Sequence, residues 1–171
     1  MEPCKYIAYI FGIAFALTLI SPFVYAQGDE KSNRETLRGF TGIGLIIDDI
    51  APEIEKNGLK RDQIQKDVEQ KLIAAEINIL TQEEMVKATG RPHLYVKLNI
   101  IKPKIEGYVF NIDVEFRQDA TLKGNSYILH SVPTWSEASV GITSKLNDIT
   151  NSIKDLIDTF LNAYLSVNPK Q

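Results

Sequence analysis

The chain has 171 residues, with 19 basic against 22 acidic side chains for a net charge of −3, and one cysteine. A nucleic-acid binder would gather a basic excess on one face, and adhesion to anionic lipid needs the same sign of charge, so neither class fits. A lone cysteine makes no internal disulfide, so the fold must rest on an ordinary hydrophobic core.

The first predicted element is an export signal over residues 1–26. Lys5 supplies the positive charge, Tyr6 to Ile20 form an uncharged apolar run, Ser21 and Pro22 interrupt it, and Val24-Tyr25-Ala26 places small residues around a cut after Ala26. Retained as an anchor, the stretch from Tyr6 to Ala26 would approach the roughly 20 residues that span a bilayer. Pro22 and the abrupt polarity of Gln27 to Ser32 favour cleavage instead. Cys4 lies near the start of this segment and not at its end, which argues against a lipoprotein and leaves the mature chain without thiols. Thiol nucleophiles and zinc-thiolate sites go with it. The expected location is the periplasm or the extracellular space, with no stable membrane insertion after signal removal.

Residues 27–38 are polar and read as a flexible leader, and a single domain is expected over 39–169. Gly42 to Ile47 is a short apolar, β-branched run stopped by Asp48-Asp49, the pattern of a strand buried on both sides. Pro52, Asn57 and Gly58 mark a connection that holds a helical turn. Ile64, Val68, Leu72 and Ala75 lie on one stripe of a helix over 61–75, with Asp62 and Gln65 placed to cap its start and Asp67 and Lys71 spaced as a pair. Ile77 to Leu80 is predicted as a second strand, making strand, helix, strand a βαβ candidate whose parallel pairing would need a right-handed crossover.

The next segments change period. Leu94, Val96, Leu98 and Ile100 alternate with Tyr95, Lys97, Asn99 and Ile101, and Tyr108, Phe110, Ile112, Val114 and Phe116 alternate with Val109, Asn111, Asp113, Glu115 and Arg117, each the signature of a strand with one dry face. Pro103 to Gly107 and Lys123 to Ser126 read as turns. Tyr127 to Ile142 is a further strand, and Pro133 inside it calls for an edge position or a bulge. Leu146, Ile149, Ile153, Leu156, Ile157, Phe160, Leu161 and Tyr164 form the broad apolar face of a closing helix over 144–165. The order β-α-β-β-β-β-α predicts an α/β (α+β) two-layer sandwich, a mixed sheet with two helices on one face.

Familiar catalytic motifs are absent. Gly42-Ile43-Gly44 lacks the third glycine of a dinucleotide fingerprint and enters a strand where the fingerprint would leave one for a helix, so no helix N-terminus faces a phosphate. Gly124-Asn125-Ser126 starts like a nucleophile elbow, yet position 128 is Ile and no second glycine follows. His93 and His130 belong to no ligand pair, and each is expected at a strand end or half-buried. No cofactor is implied.

Two candidate sites remain. If the first two strands are parallel, their carboxyl ends gather Asp48, Asp49 and Glu53 with Glu83 and Glu84, a set able to hold a hard cation or to act as an acid/base pair; the plainer reading is that acids near helix starts favour the helix dipole. The second is the sheet face away from the helices, which presents Tyr95, Lys97, Asn111, Asp113, Glu115 and Arg117 to a partner or simply to water. Trp135 is either a core anchor or an interface residue.

The chain resembles a family of small, uncharacterised bacterial exported proteins. The resemblance rests on Leu37-Arg38-Gly39-Phe40 leading into Gly42-Ile43-Gly44, on Asn57-Gly58-Leu59, on Pro92-His93-Leu94-Tyr95-Val96, on Thr134-Trp135-Ser136, and on the closing run from Phe160 to Pro169. It implies no reaction and transfers no functional residue. The element order also looks like that of the N-terminal domain of TolB and of the transport-auxiliary lipoproteins of the bacterial envelope, from which the missing lipidation cysteine departs. The resulting expectation is a non-enzymatic binding or adaptor module that holds another envelope or secreted protein. A small hydrolase or cation-dependent enzyme using Asp48, Asp49, Glu83 and Glu84 is the alternative, and a homo-oligomer assembled through the edge near Pro133 is the third reading.

Overall fold

A computed structural model describes residues 30–169. The predicted signal, its cut and Cys4 lie outside the described residues. The elements in chain order are α1 (Lys31–Glu35), β1 (Gly44–Ile47), α2 (Pro52–Lys56), α3 (Arg61–Ala74), α4 (Gln82–Lys87), β2 (His93–Ile101), β3 (Tyr108–Thr121), β4 (Ile128–Thr143) and α5 (Leu146–Val167). The strands form one mixed sheet in the order β1-β2-β3-β4, parallel between β1 and β2 and antiparallel across the other two pairs. The chain is an α/β sandwich.

Period-two alternation builds the sheet as expected. Leu94, Val96 and Leu98 on β2, and Phe110, Ile112, Val114 and Phe116 on β3, are all buried. The antiparallel register sets Leu94 opposite Phe116 and Val96 opposite Val114, so both apolar sets share one face. Helix α5 lies on that face. Its buried residues Ile149, Ile153, Leu156, Ile157, Phe160, Ala163, Tyr164 and Val167 recur every three or four positions, which makes one stripe along the helix. Phe160 is the hub: its ring centroid is 5.4 Å from Trp135, edge-on, 6.2 Å from Phe116, stacked, and 5.9 Å from Tyr164.

Helix α3 packs beside α5 and against β1, burying Ile64, Val68 and Leu72. Its expected surface details are corrected. Asp62 and Gln65 do not cap it: the N-cap is Lys60, without a side-chain bond, and the Arg61 N–H donates instead to Glu55 Oε1 at 3.2 Å. Asp67 and Lys71 do not pair with each other. Asp67 takes Lys154 at 3.0 Å and Lys71 takes Asp158, so both charges bridge α3 to α5. Tertiary partners of opposite sign outcompete the weak pairing along one helix.

Two further expectations change. Ile77 to Leu80 is not a strand but a single parallel bridge, Ile43 to Ile79, closed by Ile43 N–H to Asn78 O and Leu80 N–H to Ile43 O, both 2.9 Å. Thr81 then starts α4 with a capping box, which ends the extended run after one bridge. The parallel partner of β1 on its other side is β2, reached through α2, α3 and α4. Residues 27–38 are not all leader either. Leu37 is fully buried, and Asn168 clamps the segment by accepting from Gly39 N–H at 2.8 Å and donating to Leu37 O at 2.9 Å. A single apolar residue in a polar stretch carries too little pattern to announce that it is core. Pro133 behaves as expected: β4 is an edge strand, and its register against β3 shifts between Phe116 and Arg117 and again between Gln118 and Ala120.

Truncating the hub tests this packing. Phe160→Ala is expected to lower unfolding free energy by roughly 3–5 kcal/mol in a denaturant titration, because it empties a site contacted by three other rings. A loss below about 1 kcal/mol would mean that α5 does not cover the core through this face.

Candidate functional site

The residues opposite the helices form a polar ladder across β2 and β3. Register sets Tyr95 opposite Glu115, Lys97 opposite Asp113 and Asn99 opposite Asn111. Six of the seven expected binding residues are thereby brought together: Tyr95, Lys97, Asn111, Asp113, Glu115 and Arg117. The seventh is not. Trp135 pairs with Phe116 on the helix side, is 1% exposed, and serves the core.

The ladder is already paired. The Arg117 guanidinium lies 5.4 Å from the Tyr95 ring centroid and its Nε is 3.4 Å from Glu115 Oε2, while Asn111 Nδ2 donates to Asp113 Oδ2 at 2.8 Å and Lys97 Nζ stands 4.0 Å away from that same oxygen. Tyr95 donates its hydroxyl to Asp48, and Asp48 also accepts from the Leu98 N–H at 3.3 Å. That hydrogen bond to a carboxylate pushes the Tyr95 phenol up to about 12, so it stays a donor throughout the neutral range.

Beyond the ladder the same face turns aliphatic. Ile101 sits opposite Val109 and Val109 opposite Ile142, so three strands contribute one apolar row, and Val140 lies beside it on β4. Ile101 is 63% exposed, Val140 70% and Ile142 76%. At the other end the face is roofed: Met85 of α4 packs so closely on Gly44 that a Cβ there would meet its sulfur at 2.5 Å. This short helix, which the sequence pattern does not announce, lies across the sheet from α5, whereas the two expected helices, α3 and α5, share the core face.

The acidic site does not assemble. Among the described residues no group of three or more His, Cys, Asp or Glu side chains is placed to hold a metal ion. Asp48 is committed to Tyr95 and Leu98, Asp49 faces Arg61 at 3.5 Å, and Glu84 closes the capping box by accepting from Thr81 N–H at 2.8 Å. Glu83 is exposed in the first turn of α4. The bridge at Ile79 explains the separation. It aligns the segment before α4 with Ile43, at the opposite end of β1 from Asp48.

A third cluster was not anticipated. Asp119 accepts two bonds from Arg91, at 2.9 and 3.0 Å, and one from the Ser131 N–H at 3.2 Å, with His130 Nδ1 also 3.2 Å away. These partners, Arg91 first, hold the Asp119 carboxyl down at about 2. His93 is buried beside them. Its Nδ1 lies 2.9 Å from the Arg91 carbonyl oxygen, which can only accept, so Nε2 is left to accept from the Ser131 hydroxyl at 3.3 Å. Burial lowers the His93 pKa, which favours this neutral tautomer. Serine and histidine therefore meet in the order a nucleophile and its base would need. The rest of such a site is missing, since the Ser131 N–H is given to a carboxylate and does not face an oxyanion position. The cluster instead fastens the base of the β3–β4 hairpin, whose far part extends beyond β2 and exposes residues 121–130. Antiparallel register is the signal that locates it: His93 opposite Arg117 puts Arg91 in line with Asp119.

Compared with known proteins, the chain matches no family model, no curated protein and no solved structure.

The Asp119 joint has a pH signature. A carboxyl lowered from 3.8 to about 2 contributes stability that is complete above the unfolded value and lost as pH falls through the folded one. The wild-type unfolding midpoint is expected to drop across that window, and Asp119→Asn to lack this part of the slope. Identical slopes for the two proteins would contradict the joint.

Proposed function

We propose that this chain is a non-enzymatic binding module of the bacterial cell envelope, exported to the periplasm or beyond, which holds another envelope or secreted protein on the open face of its sheet. The observation that supports this reading most is the row Ile101, Val109 and Ile142, aligned by register across three strands, with Ile101 and Ile142 exposed on either side of a half-buried Val109. Exposed aliphatic side chains on a single surface are costly to leave in water and are the usual centre of an interface. The neighbouring ladder fits the rim of one. Tyr95, Arg117, Glu115, Lys97 and Asp113 are held by one another, so a partner meets an ordered polar border and not flexible charges. The enzyme alternative has less to stand on, because its carboxylates are dispersed and each of Asp48, Asp49 and Glu84 has a structural partner.

The test is retention of a partner from envelope extract by the exported protein and by an Ile101→Asp variant. The variant is expected to melt with the wild type, since Ile101 already faces water, and to lose the partner that the wild type retains in stoichiometric amount. Equal retention by both proteins, or no stoichiometric partner for either, would count against the open face as the binding surface.

A further inference from the structure

Edge strands expose unpaired N–H and C=O groups that recruit other strands, and folded proteins protect them with charge, proline, bulges or a covering segment. Among the described residues the sheet edges are protected except along one stretch. At the β1 edge, the strand is four residues long and carries the Ile43–Ile79 bridge on its outer side. Along β4, the half before Trp135 carries His130, the Pro133 break and two register shifts, and the Thr36 hydroxyl donates to Thr134 O at 3.3 Å. From Ser136 to Thr143 these devices reduce to one charge, Glu137. Register against β3 runs unbroken from Ser136–Glu115 to Thr143–Tyr108, the sequence Ser-Glu-Ala-Ser-Val-Gly-Ile-Thr contains no Lys, Arg or Pro, and among the described residues no strand or bridge lies on its outer side.

We propose that this stretch is the interface of a homodimer, in which β4 pairs antiparallel with β4 of a second copy about Val140, joining two four-stranded sheets into one of eight. A strand that pairs with itself about a two-fold axis must be its own complement. Centred on Val140, the run meets that condition. Val140 faces Val140 of the second copy and Ile142 faces Ala138, so the exposed aliphatic side chains on the open face cover one another. Glu137, the one charge in the run, falls opposite Thr143 and away from its own counterpart, so no like charges meet at the seam. Pro133 and the bulge beside it end the pairing on one side, and the start of α5 at Leu146 ends it on the other, which fixes the length of the seam. The two open faces then form one continuous surface carrying two copies of the polar ladder. The seam shares Ile142 with the apolar row of the proposed binding face but does not involve Ile101, so Val140→Arg and Ile101→Asp test the two readings separately.

Two measurements on the full chain decide it. Sedimentation equilibrium across the micromolar range should give twice the chain mass for the wild type and for Val140→Thr, and the single-chain mass for Val140→Arg, which sets two cations together at the axis. In a Cys4→Ser background, Val140→Cys should form a disulfide-linked dimer under mild oxidation, because residues facing across an antiparallel seam have Cα atoms roughly 4.5–5.5 Å apart; Ile142→Cys, displaced from its own copy, should not. A wild type that sediments as a monomer throughout, or a Val140→Arg protein that stays dimeric, would overturn the proposal. Cross-linking at position 142 in preference to 140 would overturn the register.

Discussion

Everything in this molecule depends on the pairing of β2 with β3 in one register. Side chains alternate across a sheet with a period of two, so a one-residue slip of β3 would turn Ile112 and Val114 out to water and bring Asp113 and Glu115 under α5, and the same slip of β2 would turn out Leu94 and Val96 and bring in Lys97. The cost of burying those charges against Phe160 and Ile157 forbids the slip. Once the register is set, the rest follows from it: α5 must lie on the apolar side, Tyr95 and Arg117 come face to neighbour on the other, and Arg91 arrives opposite Asp119.

The two ends of the open face differ in what they offer. Near the start of β2 it is closed by Met85, His93 and the Asp119 joint, where most polar groups are bonded to one another and the buried Arg117 Nε has no hydrogen-bond partner. Towards the end of β2 it is bare and aliphatic. The ladder between them carries charge of both signs in matched positions, which offers specificity for a partner with little net attraction at long range. A face built this way suits the binding role proposed above.

The sequence carried the alternating strands and the two long helices because each repeats its signal many times: five alternations on β3, eight buried positions on α5. Single-residue events were harder to read. Ile77 to Leu80 has strand composition, and only the capping box at Thr81 shows why it stops at one bridge. Leu37 is one apolar residue among polar ones, and its burial depends on Asn168, more than a hundred positions away. The polar ladder was legible from alternation alone, whereas Trp135 was ambiguous because a shifted register at Pro133 decides which face it takes. The acidic site was misjudged for a topological reason. Two parallel strands were assumed to end together, but the bridge meets β1 at its beginning.

The central claim is that one sheet face is core and the other is open, and adjacent residues on β3 test it with least ambiguity. Ile112 is fully buried under the helices, and Asn111 stands next to it on the open face with a single side-chain bond to Asp113. Denaturant unfolding of Ile112→Ala and Asn111→Ala compares the two faces at one point in the sheet. The expected result is a loss of roughly 2–5 kcal/mol for Ile112→Ala and of about 1 kcal/mol or less for Asn111→Ala. Comparable losses for the two substitutions would show that both faces are buried and would contradict the account.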